Sequence, residues 1–146
     1  MKKLFTILGI VTLSIRVFGQ ADTDNVNIPD TNFKKKLVEN TVINTNGDAE
    51  ISYGEAKEYK EALDVSFSNI SDITGIEAFI NITSLNLNNN QLKSLDLSKN
   101  IELVDLWCSN NQLTSLNLGG NFVLSRVYCS NNQLTSLDLS ENKVLT

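Results

Sequence analysis

A 21-residue repeat constrains the fold of this chain more than any other feature of its sequence. Residues 103–123 read LVDLWCSNNQLTSLNLGGNFV and residues 124–144 read LSRVYCSNNQLTSLDLSENKV, with 13 of 21 positions identical. Residues 82–102 (ITSLNLNNNQLKSLDLSKNIE) fit the same frame, L-x-x-L-x-[LC]-x-x-N-x-L-x-x-L-x-L-x-x-N-x-x. A short fixed period is typical of a solenoid, in which each coil buries its apolar residues against its neighbours.

The repeat consensus resembles the leucine-rich repeat, and in particular the short bacterial class of 21-residue units, sometimes called IRREKO-type, that nests two L-x-x-L-x-L-x-x-N halves. Residues 63–81 (LDVSFSNISDITGIEAFIN) place apolar residues near every third position. They resemble the internalin-like repeat, whose outer side forms a 3₁₀-like turn. The resemblance implies an α/β-type repeat solenoid with short parallel strands on its concave side and a small helical N-terminal cap.

We predict four coils in the C-terminal part of the chain, at residues 63–81, 82–102, 103–123 and 124–146. The last two residues, Leu145 and Thr146, begin a further copy, and no polar capping element follows them. Since a solenoid needs its terminal coil covered, we expect the sequence to be truncated at its C-terminal end, as part of a longer protein.

Residues 20–62 are predicted to form a helical, acidic cap. Pro29 and Asp30 open a helix, and Asp30 or Thr31 is suited to cap its N-terminus. The helix has an apolar face formed by Phe33, Leu37 and Val38, and an outward, solvated face formed by Lys34, Lys35 and Lys36. A second helix is predicted from EAKEYKEA, residues 55–62. The segments IPDTNFKK, INTNGDAEIS and SDITGIEAF together resemble the N-terminal cap of secreted bacterial leucine-rich-repeat proteins.

Residues 44–55 (NTNGDAEISYGE) resemble the twelve-residue calcium loop of EF-hand and dockerin sites. The resemblance assigns six ligand positions, with Glu50 contributing its backbone carbonyl: Asn44, Asn46, Asp48, Glu50, Ser52 and Glu55. The loop departs from the pattern by having Asn44 where an Asp is usual and Ala49 where the sharp turn favours Gly. The resemblance implies weak Ca²⁺ binding; the alternative is a polar turn between two cap helices.

Residues 1–19 have the organisation of a signal peptide. Lys2 and Lys3 form a basic start, residues 4–15 an apolar run, and residues 17–19 (VFG) a small-residue cleavage site. The apolar run is too short for a transmembrane anchor. We therefore predict an exported protein, secreted or at the cell surface; the alternative is a buried N-terminal helix.

The charge of the chain disfavours nucleic acid as a partner. Cleavage after residue 19 would remove three of the 12 basic residues and none of the 17 acidic ones, so the net charge would change from −5 to −8. Most of this charge lies ahead of the 21-residue repeats, because residues 20–81 contain 12 acids and 5 bases. A chain without a basic stripe repels a phosphate backbone.

Most repeat positions are predicted to be scaffold. The leucines of successive copies stack inward, and two columns of asparagine hydrogen-bond the bends: Asn90, Asn111 and Asn132 in one, and Asn100, Asn121 and Asn142 in the other. Cys108 and Cys129 share one inward position. A disulfide would suit an exported protein, but parallel side chains give poor torsions for one, so we favour free cysteines in the core. With two cysteines and no histidine, a zinc site is not expected.

Function is predicted at the outward positions of the first strand of each repeat. The candidate partner-binding residues are Asn86, Asp105, Trp107, Arg126 and Tyr128. An aromatic pair beside a charged pair on a rigid sheet has the composition of a binding hot spot. The alternative is that Trp107 and Tyr128 only stabilise the sheet as a cross-strand pair.

Catalysis has little support in the sequence. The chain has no histidine, which excludes Ser/His and Cys/His nucleophile pairs, and it has no glycine-rich phosphate loop. The sequence thus favours a non-enzymatic module for recognition of an extracellular protein, or for adhesion. Two alternatives stay open: binding of glycan or cell wall, and a structural spacer within a larger surface protein.

Overall fold

The computed structural model describes residues 20–146, so the predicted signal peptide lies outside the described residues. The cap contains helices α1 (Thr31–Val38) and α2 (Tyr53–Glu58). The described repeats contain a 3₁₀ helix and six strands: β1 (Ala62–Asp64), the 3₁₀ helix (Ile76–Ala78), β2 (Ser84–Asn86), β3 (Ser94–Asp96), β4 (Asp105–Trp107), β5 (Ser115–Asn117) and β6 (Arg126–Tyr128). No helix within residues 20–146 is both long and apolar enough to span a membrane.

The strands form a parallel solenoid of about three turns. One sheet has four strands in the order β1-β2-β4-β6, and the other pairs β3 with β5. Leu85 aligns with Leu106 and Leu106 with Val127, a displacement of one 21-residue repeat at each step. Leu63 aligns with Leu85, a displacement of 22 residues. This register confirms the predicted leucine-rich-repeat solenoid. The second sheet was not anticipated, and it arises because each repeat contains two strand-forming halves.

Burial within the strands follows the two-residue alternation of extended chain. Each strand has three residues, and the central one points inward while its neighbours point out. The inward residues of the middle coils are fully enclosed, among them Ile82, Leu85, Leu103, Leu106 and Leu124. Each such side chain contributes roughly 1.5–3 kcal/mol when it is completely buried.

The first asparagine ladder (Asn90, Asn111, Asn132) connects each coil to the one before it. The Asn111 side-chain amide donates to the carbonyls of Leu87 (2.9 Å) and Cys108 (3.2 Å), and its oxygen accepts from the N–H of Leu92 (3.1 Å). Asn90 and Asn132 make equivalent bonds one coil away. The predicted scaffold role of these residues is confirmed.

The second ladder (Asn100, Asn121, Asn142) is satisfied on one side only. The Asn121 amide donates to the carbonyls of Leu97 (3.0 Å) and Asn100 (2.8 Å). The side-chain oxygens of Asn100 and Asn121 are buried and accept no hydrogen bond. The second ladder therefore bridges coils through its donors alone.

Helix α1 is attached to the first coil by the residue that caps it. Asp30 accepts from the N–H groups of Asn32 (2.9 Å) and Phe33 (3.0 Å) with one oxygen. Its other oxygen accepts from the N–H and hydroxyl of Ser71 and from the N–H of Asp72. This confirms Asp30 as the N-cap. Phe33 and Leu37 are fully buried, as predicted.

Two predictions about the cap were wrong in detail. Lys34 does not point freely outward but forms an ion pair with Glu50 at 2.5 Å, while Lys35 and Lys36 are exposed as expected. Helix α2 begins before Glu55 and ends at Glu58, because Ser52 and Glu55 form a capping box at its start. The chain then becomes extended and enters β1 at Ala62. The 3₁₀ helix of the first coil forms as predicted.

Candidate functional site

The outward face of the four-stranded sheet brings together all five residues predicted for partner binding, which we call the strand-face patch (Asn86, Asp105, Trp107, Arg126, Tyr128). In the register of the sheet, Asn86, Trp107 and Tyr128 form one row and Ser84, Asp105 and Arg126 the next. Since β2, β4 and β6 are hydrogen-bonded neighbours, the patch forms a continuous surface. Its position follows directly from the 21-residue period.

The aromatic part of the patch is a stack of two rings. The ring centroids of Trp107 and Tyr128 lie 5.9 Å apart, and the ring planes are within 8° of parallel. Tyr128 is exposed and Trp107 is partly buried. The cross-strand pair considered as the alternative is therefore present. It also presents apolar area whose orientation is fixed by the sheet below it.

The charged part of the patch is a two-bonded ion pair. Arg126 donates from Nε to one oxygen of Asp105 and from an Nη atom to the other at 2.7 Å. The hydrogen bond and the negative charge of Asp105 raise the pKa of Arg126. Asp105 is mostly covered whereas Arg126 is exposed. The guanidinium is thus oriented by its partner, and three of its five N–H donors are not used in this pair.

Asp64 on β1 extends the patch by one strand. The Asn86 amide donates to Asp64 at 3.2 Å, and its oxygen accepts from the N–H of Asn88 at 3.1 Å. Burial opposes ionisation of Asp64, but hydrogen bonds from Ser66 and Asn86 outweigh it, and the net pKa is lowered. Sequence reasoning missed Asp64 because β1 belongs to the 22-residue coil; its alignment with Asn86 at that offset was the available signal.

The loop predicted to bind calcium is held by its own hydrogen bonds. One oxygen of Glu55 accepts from the N–H and hydroxyl of Thr45 and the N–H of Asn46. The other accepts from the N–H and hydroxyl of Ser52. Burial opposes ionisation of Glu55, but these bonds outweigh it, so its pKa is lowered. A carboxylate has about four lone-pair sites, so a cation would have to displace these donors.

The remaining predicted ligands are also engaged within the loop. Asn44 is buried and donates to the carbonyls of Val38 (3.0 Å) and Asp48 (2.8 Å), and the Asn46 amide donates to the Asp48 carboxylate at 2.9 Å. The Glu50 carboxylate pairs with Lys34. Within residues 20–146, no three His, Cys, Asp or Glu side chains are grouped to hold a metal. The present arrangement does not fit Ca²⁺, and calcium binding stays a prediction that requires the loop to rearrange.

Cys108 and Cys129 are free, which confirms the favoured interpretation. Burial, with a smaller contribution from the neighbouring Cys129, raises the pKa of Cys108 to about 12. The thiolate is the reactive form of cysteine, so Cys108 is inert at neutral pH. These residues are part of the core and not of a site.

Two proteins of Listeria monocytogenes have structures similar to this chain. The functional domain of InlJ, which includes a cysteine ladder, is 32% identical with a TM-score of 0.74, over 88% of this chain and 29% of that one. The internalin InlF is 20% identical with a TM-score of 0.67, over 81% of this chain and 35% of that one. The chain has an internalin-like leucine-rich-repeat fold.

This internalin-like chain spans about a third or less of the two structures it resembles. No protein-family profile matches its sequence, and no curated protein matches it either. The similarity to InlJ extends to the stacked inward cysteines, since Cys108 and Cys129 lie one coil apart. The comparisons define the fold and leave the choice of partner to the chemistry of the surface.

Proposed function

We propose that this internalin-like chain is an exported, non-enzymatic binding module that recognises an extracellular protein through the strand-face patch. One observation carries the proposal: the Trp107–Tyr128 stack lies beside the Asp105–Arg126 ion pair on a single face of the sheet. Aromatic residues and arginine are the residues most enriched in the energetic centres of protein interfaces.

Rigidity of the support favours binding by this face. The patch residues belong to three strands whose central residues, Leu85, Leu106 and Val127, pack into the core. A side chain that is already ordered loses less conformational entropy when a partner binds. The stack and the ion pair order their four side chains before any contact is made.

The charges of the patch favour a protein over a neutral glycan. Arg126 presents unused donors at one end of the patch, and the acid Asp64 lies two strands away, beyond Asn86. A protein partner can place an acid opposite Arg126 and a base opposite Asp64, so that complementary charges fix the register of docking. A neutral sugar would use only the aromatic stack.

The test is binding by the mature chain to arrays of extracellular proteins and of soluble glycans. We compare it with Trp107→Ala/Tyr128→Ala and with a matched control, Ser94→Ala/Asp96→Ala, on the exposed face of β3 in the smaller sheet. Protein ligands should be retained by the control and lost by the aromatic variant, with all three chains folded. Ligands retained equally by both variants would contradict the proposal. Binding confined to glycans would favour the cell-wall alternative, and no binding would favour the spacer.

A further inference from the structure

A stripe of exposed apolar side chains runs along the bends that precede the strands of the four-stranded sheet. Ile80 is 37% exposed, Ile101 52% and Phe122 60%, and the three residues are 21 positions apart. We call these three residues the apolar stripe. The exposed Val123 and Val144 broaden it at one end. Single exposed apolar residues are common, but a column at the repeat period makes one continuous surface.

The scaffold does not explain this stripe. Each stripe residue follows an inward position of the bend, Phe79, Asn100 or Asn121, and its own side chain lies outside the core. The equivalent position one repeat after Phe122 holds Lys143, so the bend tolerates a charged residue there. The bends at the opposite end of these strands hold asparagines in the corresponding exposed column. An apolar residue at this place therefore has to be explained by contact with another surface.

The two ends of the stripe have opposite charges. Lys143 continues the column after Phe122. At the other end, Glu58 is adjacent to Lys57, whose carbonyl accepts a hydrogen bond from Asn81 at 2.7 Å, so Glu58 lies close to the first stripe residue. Both Glu58 and Lys143 are exposed, and neither forms an ion pair within the part of the chain that the structure describes.

We propose that the apolar stripe docks against the same stripe of a second copy of this chain, in an antiparallel arrangement. A twofold axis at Ile101 places Ile101 against its equivalent, Ile80 against Phe122, and Glu58 against Lys143. The pattern acid–apolar–base is self-complementary only when the two stripes run in opposite directions, as a twofold interface requires. In the parallel arrangement, like charges would face each other at both ends.

The size of the stripe sets the strength of the dimer. Coils are about 4.8 Å apart, so the column from Glu58 to Lys143 is roughly 20 Å long. A standard interface buries about 800 Å² per partner, which is more than these few side chains offer. We therefore expect a weak dimer with a dissociation constant of about 10 µM to 1 mM. Since the stripe lies on the bends, the strand-face patches of both copies stay accessible, and a dimer would bind a multivalent surface through two patches.

Sedimentation equilibrium of the mature chain over this concentration range tests the proposal. Dimer should form, and Ile101→Asp should abolish it by placing two carboxylates on the axis. Val42→Asp, at an exposed apolar residue in the cap, is the matched control and should leave the dimer intact. Circular dichroism checks the fold, and Ile101→Ser with Phe122→Ser replaces the aspartate variant if that variant does not fold. A monomer at every concentration, or a dimer that survives changes at Ile101, would overturn the proposal.

Charge reversal tests the antiparallel pairing. Glu58→Lys and Lys143→Glu alone should each raise the dissociation constant about tenfold, because each converts two attractive contacts into two repulsive ones. The double variant Glu58→Lys/Lys143→Glu should restore dimerisation to near its original strength. Failure of the double variant to recover would overturn the antiparallel arrangement even if a dimer is present. Neither result depends on the strand-face patch or on its ligand.

Discussion

In the cap, two carboxylates collect backbone N–H groups, whereas in the repeats a column of asparagine amides joins one coil to the next. Asp30 and Glu55 each accept five hydrogen bonds. Asn111 both donates and accepts. A carboxylate only accepts when ionised, so it suits helix starts and turns, where free N–H groups are gathered. An amide can bridge a carbonyl of one coil and an N–H of another.

The difference also separates what can be switched by pH from what cannot. Carboxylates titrate, and an amide does not. The cap is therefore stabilised by bonds that depend on ionisation, while the repeats depend on bonds that are independent of it. The cap and the solenoid should consequently respond to different perturbations.

The largest expected effect is from Asn111→Leu. The substitution leaves the carbonyls of Leu87 and Cys108 and the N–H of Leu92 without their partners, at about 1–3 kcal/mol for each buried group. We expect the free energy of unfolding, measured in urea, to fall by about 3 kcal/mol or more. Asn121→Leu is the matched variant and should cost less, because its oxygen has no partner to lose. Equal losses for the two variants would contradict this account of the ladders.

Asp30→Ala should have the next largest effect. It removes the N-cap of α1 together with the bonds to Ser71 and Asp72 that attach the cap to the first coil. We expect a loss of about 2 kcal/mol, at the upper end of the range for N-caps. Asp30→Asn retains an accepting oxygen and should recover part of the loss. If both variants are as stable as the parent, the attachment of the cap does not depend on Asp30.

Acid should loosen the cap before the repeats. Burial opposes ionisation of Asp30 and Glu55, but their hydrogen bonds outweigh it, so both folded-state pKa values are lowered. Their stabilisation is complete above the ordinary carboxyl pKa of about 4 and is lost as the pH falls through the lower folded value. Circular dichroism at 222 nm reports α1 and α2, and fluorescence of Trp107, the single tryptophan, reports the repeats. Helical signal should be lost at the higher pH; coincident transitions would mean one cooperative unit.

Phe67→Asn should stabilise the chain modestly. Phe67 is 76% exposed and has a φ of 52°, in the left-handed region that bulky residues avoid. Later coils place Asn89, Asn110 and Asn131 there, with φ of 56° to 58°. Asn tolerates this conformation, so the melting temperature should rise by an amount equivalent to about 1 kcal/mol. A matched change at an exposed residue with ordinary backbone, Phe122→Asn, should give no such gain.

Calcium should have the smallest effect. At 1 mM Ca²⁺ and a dissociation constant of about 10⁻⁴–10⁻³ M, binding would add roughly 0.4–1.4 kcal/mol. Glu55→Ala should abolish the rise in melting temperature, but it also removes the capping box and lowers stability by itself. The informative quantity is therefore the difference with and without chelator, measured for the parent and for Glu55→Ala. No difference for the parent would exclude the site.

The repeats could be predicted almost completely because each position has one structural role. Leu106 must point inward and Trp107 outward once the strand is placed, and Asn111 has no other way to satisfy its buried amide. The period then locates every patch residue except Asp64, which belongs to the 22-residue coil. The apolar stripe was readable in the same way, from the variable positions 80, 101 and 122.

The cap was harder to predict because one pattern fits two structures. Ser52 and Glu55 have the spacing of a capping box and also that of positions 9 and 12 of a calcium loop. Sequence spacing does not determine whether a carboxylate faces N–H groups or a cation, since both need the same acceptor geometry. Lys34 is a similar case, because its partner Glu50 lies 16 residues away and in a different element.

The constant register between coils makes length and chemistry separate properties of this molecule. Strand β4 stands to β2 as β6 stands to β4, with one displacement of 21 residues throughout. Duplicating or deleting one such unit would therefore lengthen or shorten the protein by about 4.8 Å and leave the remaining interfaces unchanged. Recombination between near-identical copies can thus vary the reach of the molecule, while point changes at outward positions vary what it touches.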